Sequence, residues 1–195
     1  MPKKEEVKSV VFELHPLKAP GPNGMSGFFY MKYWDITSDN FTDCVQDIFR
    51  TGYFDPKVNH SFICLIHKKE NVDTVDNFRL ISLCNFIYKV ISRLVSNRMR
   101  GIIGKLISLF QAAFILGRWI VEASILTQEI VHTIKKKGKG GLTVINVDMH
   151  KAYDRMEWHF LLQVLKENGS RLIFANSLCG VYLQSPFRSF LMVPL

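Results

Sequence analysis

The sequence predicts a mixture of helices and strands, the α+β class, in a single domain covering residues 1–195. Apolar residues recur at helical spacing in several segments, and residues 142–149 alternate between two faces as a strand does. With 48% hydrophobic and 22% charged residues, the chain has enough apolar side chains for one core. It contains no repeat, low-complexity linker or clear domain boundary.

The first two helices are predicted from single apolar stripes. The first stripe consists of Val7, Val10, Val11 and Leu14, and the second of Phe41, Val45, Ile48 and Phe49. Pro16 and a Pro/Gly-rich loop at 20–24 end the first helix, and Gly52 ends the second. Residues 61–67 then predict a short buried strand.

The second half of the chain predicts three more helices and the alternating strand. Residues 86–99 form an amphipathic helix with Lys89, Arg93 and Arg100 among its polar positions. A helix over 120–134 leads into a solvated, lysine-rich turn at 135–141. After the strand, Asp154 predicts an N-cap with Glu157 as its capping-box partner. The helix that follows has Trp158, Leu161, Leu162 and Leu165 on one stripe and ends at Gly169.

Composition restricts the class of partner and the compartment. Basic residues exceed acidic ones by 8, which suits a polyanionic partner, although many basic proteins are simply soluble. The four cysteines show neither C-x-x-C spacing nor paired histidines, so we expect reduced, mostly buried thiols. The charged N-terminus and the absence of a long apolar run predict an intracellular protein with no signal peptide and no membrane segment.

Asp148 stands where the alternating strand ends and a polar segment begins. A carboxylate in that position can bind Mg²⁺, which prefers oxygen ligands and commonly takes one or two protein carboxylates. An aspartate at a strand end is equally typical of a turn or of a cap for free backbone N–H groups. Spacing alone leaves both interpretations open.

Seven blocks, in order, resemble reverse transcriptases of plant non-LTR (LINE-type) retrotransposons. They are KAPGPNG at 18–24, CLIHKK at 64–69, DNFRLISLCN at 76–85, IYKVIS at 87–92, NRMR at 97–100, QAAFILGR at 111–118 and DMHKAYD at 148–154. The family usually has Asp at Asn23, Pro at His67 and Leu80, and Ser at Ala112. The resemblance implies a partial right-hand polymerase fold, with a fingers-like region and palm entry at about 1–140 and the first palm strand and helix at 141–195.

The resemblance assigns roles around the last block. Asp148 would be a catalytic carboxylate that binds two Mg²⁺ ions, with the Met149 carbonyl as a second ligand. Tyr153 falls at the family's sugar-gate position, although a core aromatic would explain it nearly as well. The amides of Lys151 and Ala152 would face the triphosphate.

The resemblance also assigns basic residues. Lys68 and Arg79 match positions in the fingers that close on the triphosphate, although a solvated lysine and an arginine paired with Asp76 is the simpler interpretation. Lys69 is a less certain substitute for Lys68. The candidates for template or primer backbone contacts are Lys89, Arg93, Arg100 and Arg118. The implied partners are an RNA template, a DNA primer and deoxynucleoside triphosphates.

No aspartate follows Asp154 in this sequence, so the family's later aspartate pair is missing. We therefore expect a reverse transcriptase fragment, truncated before the second carboxylate motif and inactive alone, because two-metal catalysis would lack ligands. One alternative is a non-catalytic nucleic-acid-binding remnant. Another is an unrelated metal-dependent phosphotransferase that uses Asp148 and Asp154 together.

Overall fold

The computed structural model describes residues 1–68, 70, 77–108, 111–113, 115, 117–136 and 157–167. This part of the chain is mostly helical, with one small antiparallel sheet of two strands. The chain divides into two compact units, one built from Met1–Ser96 and Ala152–Pro194 and the other from Asn97–Lys151. The predicted strand at 142–149 lies outside the described residues.

Helices α1 (Lys4–Glu13), α3 (Trp34–Thr51) and α5 (Phe86–Leu106) supply most of the core of the first unit. The stripe on α3 is confirmed, with Phe41, Val45, Ile48 and Phe49 buried, and so is the stripe on α1 for Val7, Val10 and Val11, but Leu14 is half-buried just after α1. Each buried side chain contributes roughly 1.5–3 kcal/mol by leaving water. The helix predicted over 86–99 is also confirmed and continues to Leu106.

Helix α3 ends where the sequence predicts, at Gly52. This glycine adopts a left-handed conformation with φ 69°, and its N–H donates to the Ile48 carbonyl at 2.9 Å. That bond satisfies one of the carbonyls left without a partner at a helix end, in a conformation that costs glycine little. The chain then turns toward α4 (Pro56–Asn59), which Asp55 caps by accepting a hydrogen bond from the Lys57 N–H at 2.8 Å.

The short helix α2 (Gly27–Lys32) adds an aromatic cluster to this core. The ring of Tyr30 stacks on Phe86 with 5.2 Å between centroids and meets Phe41 edge-on at 5.0 Å. Such ring pairs contribute about 0.5–1.5 kcal/mol beyond the area that they bury. Aromatic packing therefore ties α2 to α3 and to the start of α5.

Strands β1 (Ser61–His67) and β2 (Phe78–Cys84) form an antiparallel hairpin of seven residue pairs, from Ser61–Cys84 to His67–Phe78. The strand predicted at 61–67 is confirmed, but its predicted burial is wrong, because only Ser61 is buried. Among the described residues, no helix makes extensive contact with either strand, so apolar side chains on both faces meet solvent. Phe62 and Leu65 represent the two faces of β1.

The expectation of mostly buried thiols is wrong for the three described cysteines. Cys64 is exposed on β1, whereas Cys44 and Cys84 are half-buried, and all three are free thiols. Burial raises the pKa of the Cys84 thiol, and the nearby Lys89 ammonium offsets part of that effect. Cys64 is exposed because, among the described residues, no helix covers the hairpin.

Asn85 lies between β2 and α5 and is 2% exposed. Its carboxamide joins four segments of the chain. Its Nδ2 donates to the carbonyls of Val58 at 2.9 Å, Lys57 at 3.2 Å and His60 at 3.4 Å. Its Oδ1 accepts from the Asn23 N–H at 3.1 Å. The Pro/Gly-rich loop, the end of α4, the start of β1 and the β2–α5 junction are therefore held by one side chain.

Gly21 allows that loop to approach the β2–α5 junction. A Cβ atom at this position would lie 2.4 Å from the Asn85 backbone nitrogen and 2.5 Å from the Cys84 carbonyl carbon. Both are backbone atoms, which cannot move aside as the end of a flexible side chain can. Only glycine fits here without a shift of the backbone, and the approach brings Asn23 within hydrogen-bonding distance of Asn85.

Two further helices are described. Helix α6 (Ile120–Lys136) confirms the helix predicted over 120–134 and belongs to the second unit. Helix α7 (Trp158–Glu167) confirms the last predicted helix but begins at Trp158, with the Glu157 carbonyl accepting the first bond, so Glu157 lies just before the helix. The predicted cap, Asp154, lies outside the described residues. None of the helices in the described segments is long and apolar enough to cross a bilayer.

Replacing Asn85 by alanine should lower the free energy of unfolding by about 1–3 kcal/mol, because the Asn23 N–H and the carbonyls of α4 would lose their buried partner. Urea denaturation followed by circular dichroism measures this change. Asn40→Ala is the matched control, since Asn40 is exposed on α3. Equal midpoints for the two variants would contradict the role given to Asn85.

Iodoacetamide should alkylate Cys64 before Cys84 in the native chain, because Cys64 is exposed while Cys84 is half-buried and its pKa is raised. Mass spectrometry of tryptic peptides after short reaction times measures the order. In urea the two rates should converge. Faster native labelling of Cys84 would contradict the exposure of Cys64 relative to Cys84.

Candidate functional site

Lys68 and Arg79 share one face at the loop end of the hairpin. Ile66 pairs with Arg79, and two residues later the Lys68 N–H donates to the Asn77 carbonyl at 2.8 Å, one pair beyond His67 and Phe78. Paired residues lie on the same face, and side chains alternate along each strand. Lys68 and Arg79 are therefore diagonal neighbours, a relation for which a separation of about 7–8 Å is usual.

This pair, which we call the basic hairpin end, combines two kinds of phosphate ligand. Lysine is a compact point charge, and arginine presents a planar fork that matches the oxygens of a phosphate group. Both residues are exposed, and the same face carries the apolar side chains of Ile66 and Ile81. Asp76, the alternative partner predicted for Arg79, lies outside the described residues.

The side chain of Lys89 forms a hydrogen bond within the first unit. Its Nζ donates to the Ala19 carbonyl at 2.7 Å, in the Pro/Gly-rich loop. Burial lowers the pKa of Lys89, the Cys84 thiolate opposes that shift, and the Lys18 ammonium adds to it. The predicted amphipathic helix is confirmed. The contact that Lys89 makes holds the Pro/Gly-rich loop.

Arg93 makes an ion pair with Glu13, so it connects α5 to the end of α1. This hydrogen bond raises the pKa of the guanidinium, with burial acting in the opposite direction. The side chain of Arg93 is only 22% exposed, and none of the described residues accepts a hydrogen bond from its buried Nε. The charge of Arg93 is thus neutralised locally.

Arg118, in the second unit, binds carbonyls at the end of α5. Its Nη1 donates to Ser108 at 2.5 Å and Gln111 at 2.7 Å, and its Nη2 to Gly104 at 3.2 Å and Ile107 at 3.4 Å. A cation at a helix C-terminus also interacts favourably with the helix dipole. These contacts support a capping role for Arg118. Arg100 is half-buried near the end of the same helix.

The predicted palm residues cannot be compared with the structure. Asp148, Met149, Lys151, Ala152 and Tyr153 all lie outside the described residues. Within the described ranges, no group of three His, Cys, Asp or Glu side chains is arranged to hold a metal ion. The roles assigned to these residues by the resemblance remain predictions.

Sequence reasoning missed β2 and Asn85. Residues 78–84 are mostly apolar but do not alternate with the period of a strand, so they give only a short apolar run as the signal for β2. An asparagine between a strand and a helix is, by contrast, an ordinary turn residue. Its role depends on carbonyls up to 28 residues away, and no local pattern indicates these.

Comparison with known proteins shows the family of the chain. Residues 66–186, more than half of the chain, match the model of the family "Reverse transcriptase (RNA-dependent DNA polymerase)". The chain is also 25% identical, over 149 residues, to "Transposon TX1 uncharacterized 149 kDa protein" of Xenopus laevis. That alignment covers 76% of this chain and 11% of the relative, so the chain spans about a tenth of the relative's length. The matched family region includes both Lys68 and Arg79, and the chain belongs to the reverse transcriptase family.

Proposed function

We propose that this chain is the fingers-like region and palm entry of a LINE-type non-LTR reverse transcriptase of the plant kind. In a complete enzyme it would act on an RNA template, a DNA primer and deoxynucleoside triphosphates. About 1–140 would form the fingers-like region and palm entry, and 141–195 the first palm strand and helix. The alternative of an unrelated phosphotransferase is wrong, because the chain belongs to the reverse transcriptase family.

The observation that supports this proposal is the basic hairpin end. Lys68 and Arg79 are eleven positions apart in the sequence, on either side of the loop between the strands, yet they share one hairpin face. A triphosphate carries several negative charges, and a lysine and an arginine on one face can neutralise them together. In this proposal the two side chains bind and orient the triphosphate, and the exposed apolar residues of that face lie beside it.

The proposal gives the metal to residues of the last block. The Asp148 carboxylate and the Met149 carbonyl are oxygen donors of the kind that Mg²⁺ prefers. When bound, the metal would polarise phosphate oxygens. The Lys151 and Ala152 amides would donate to the triphosphate, and the Tyr153 ring would lie under the sugar.

A deoxynucleoside triphosphate should protect Cys64 from iodoacetamide. Cys64 pairs with Ile81 and is therefore a diagonal neighbour of Arg79 on the same face. A triphosphate held by Lys68 and Arg79 would cover the thiol and slow its alkylation. The measurement is the rate of Cys64 labelling with dATP, with deoxyadenosine as the ligand that lacks phosphates.

The controls use charge-removing variants. Lys68→Ala and Arg79→Ala should each abolish most of the protection, whereas Arg50→Ala should retain it, because Arg50 is exposed on α3 and pairs with Asp47. Protection by deoxyadenosine alone, or equal protection in Arg79→Ala and the parent chain, would refute the triphosphate role of the hairpin.

The 195-residue polypeptide should not extend a primer on an RNA template with Mg²⁺ or Mn²⁺. The sequence has no aspartate after Asp154, and loss of one member of such a catalytic unit typically costs several orders of magnitude in rate. Primer extension resolved by electrophoresis measures this. Extension by the parent chain that disappears in Asp148→Ala would overturn the expectation.

A second candidate is a non-catalytic nucleic-acid-binding protein, which the net charge of +8 favours. Its binding would weaken with salt and would be unchanged in Asp148→Ala. The two candidates differ in the role of the Asp148 carboxylate, since only the polymerase proposal uses it. Absence of binding at low salt would remove this second candidate.

A further inference from the structure

Exposed aromatic side chains lie on α1, on α2 and just before α3 in the first unit. The ring of Phe12 meets Trp34 edge-on at 6.1 Å between centroids, and Tyr33 precedes Trp34 in the chain. The Nζ of Lys32 lies 5.7 Å from the Tyr33 ring centroid and 5.9 Å from that of Phe28. We call Phe28, Lys32 and Tyr33 the aromatic–lysine strip.

The strip differs from the aromatic cluster of the core in its exposure. Phe12 is 50% exposed, Phe28 52% and Tyr33 42%. Trp34, whose ring contacts that of Phe12, is 5% exposed. Rings that are half in solvent still have surface available for contact. The Phe12 ring packs against the buried Trp34, whereas Phe28 and Tyr33 lie beside the Lys32 ammonium.

Charged side chains of both signs lie near the exposed rings. Lys8 lies 5.9 Å from the Phe12 ring, but it also lines a groove that contains Glu5, Asp35 and Asp39. Lys4 in that groove is paired with Asp39 at 2.5 Å. Lys32 does not line this groove, so its ammonium is the better position for a phosphate.

Two exposed rings that share one lysine are a chemical match for a nucleotide. A base can stack on the outer surface of a ring, and the adjacent phosphate can meet the ammonium. An apolar peptide would use the rings but would leave the lysine without a counter-charge. The choice of nucleic acid over a peptide also rests on the proposed function.

We infer that the aromatic–lysine strip binds single-stranded nucleic acid, with bases stacked on Phe28 and Tyr33 and a backbone phosphate at Lys32. The strip shares no residue with the basic hairpin end, to which the triphosphate is assigned. It recognises the ring surface that every base shares, so it shows little sequence preference.

The test is fluorescence anisotropy with a labelled oligothymidylate of about 16 nucleotides, close to the upper site size of single-strand binders. Phe28→Ala and Tyr33→Ala should each weaken binding about fivefold or more, with an unchanged dependence on salt, because stacking is lost while phosphate contacts remain. Lys32→Gln should reduce the salt slope by about one. Tyr53→Ala, which removes a ring that is similarly exposed elsewhere in the unit, should bind like the parent chain.

Circular dichroism melts of each variant check that folding is retained, and Phe28→Trp should keep the affinity because it keeps an aromatic surface. Unchanged affinity in Phe28→Ala and Tyr33→Ala would overturn the inference and leave the strip to a protein partner. An equal loss in Tyr53→Ala would overturn it too, since the effect would not belong to the strip.

The outcomes separate this inference from the proposed function. Loss of dATP protection in Arg79→Ala, together with unchanged oligonucleotide binding in the strip variants, would overturn only the strip. Weaker oligonucleotide binding in the strip variants, together with normal dATP protection in Arg79→Ala, would support the strip and refute the triphosphate role of the hairpin.

Discussion

The side chain of Asn85 is the constraint on which the geometry of the first unit depends. It is buried between β2 and α5, and it satisfies three carbonyls near α4 and one N–H of the Pro/Gly-rich loop. A buried amide without partners would cost more free energy than its hydrogen bonds contribute, so the surrounding segments are held where they satisfy it. The direction in which β2 leaves this junction sets the position of the hairpin and of Arg79.

Helix α5 is basic in sequence, but two of its cations bind partners within the chain and so do not form a basic surface. Lys89 holds the loop through Ala19, and Arg93 is neutralised by Glu13. Half-buried cations require partners, and here the partners come from the chain itself. Lys68 and Arg79 are exposed on one face of the hairpin and lie within the region that matches the reverse transcriptase family.

The first unit therefore presents two surfaces of different chemistry. The hairpin combines two cations with exposed aliphatic side chains, a combination suited to a charged nucleotide. The aromatic–lysine strip combines flat rings with one ammonium and is suited to stacked bases. Both are on the outside of a core made from α1, α3 and α5, so changes to either surface leave the buried stripes of these helices intact.

The sequence by itself determined the helices, because burial of one apolar stripe has the period of the helix and can be detected in any single segment. Val7, Val10 and Val11 on α1 and Phe41, Val45 and Ile48 on α3 are buried as their spacing predicts. The resemblance of their blocks assigned roles to Lys68 and Arg79 and to Asp148 and its neighbours, and these roles stay predictions. Only the tertiary structure decided that β1 is exposed, that Lys89 and Arg93 face internal partners, and that Asn85 joins four segments. Each of these depends on groups far apart in the chain, and local periodicity carries no information about them.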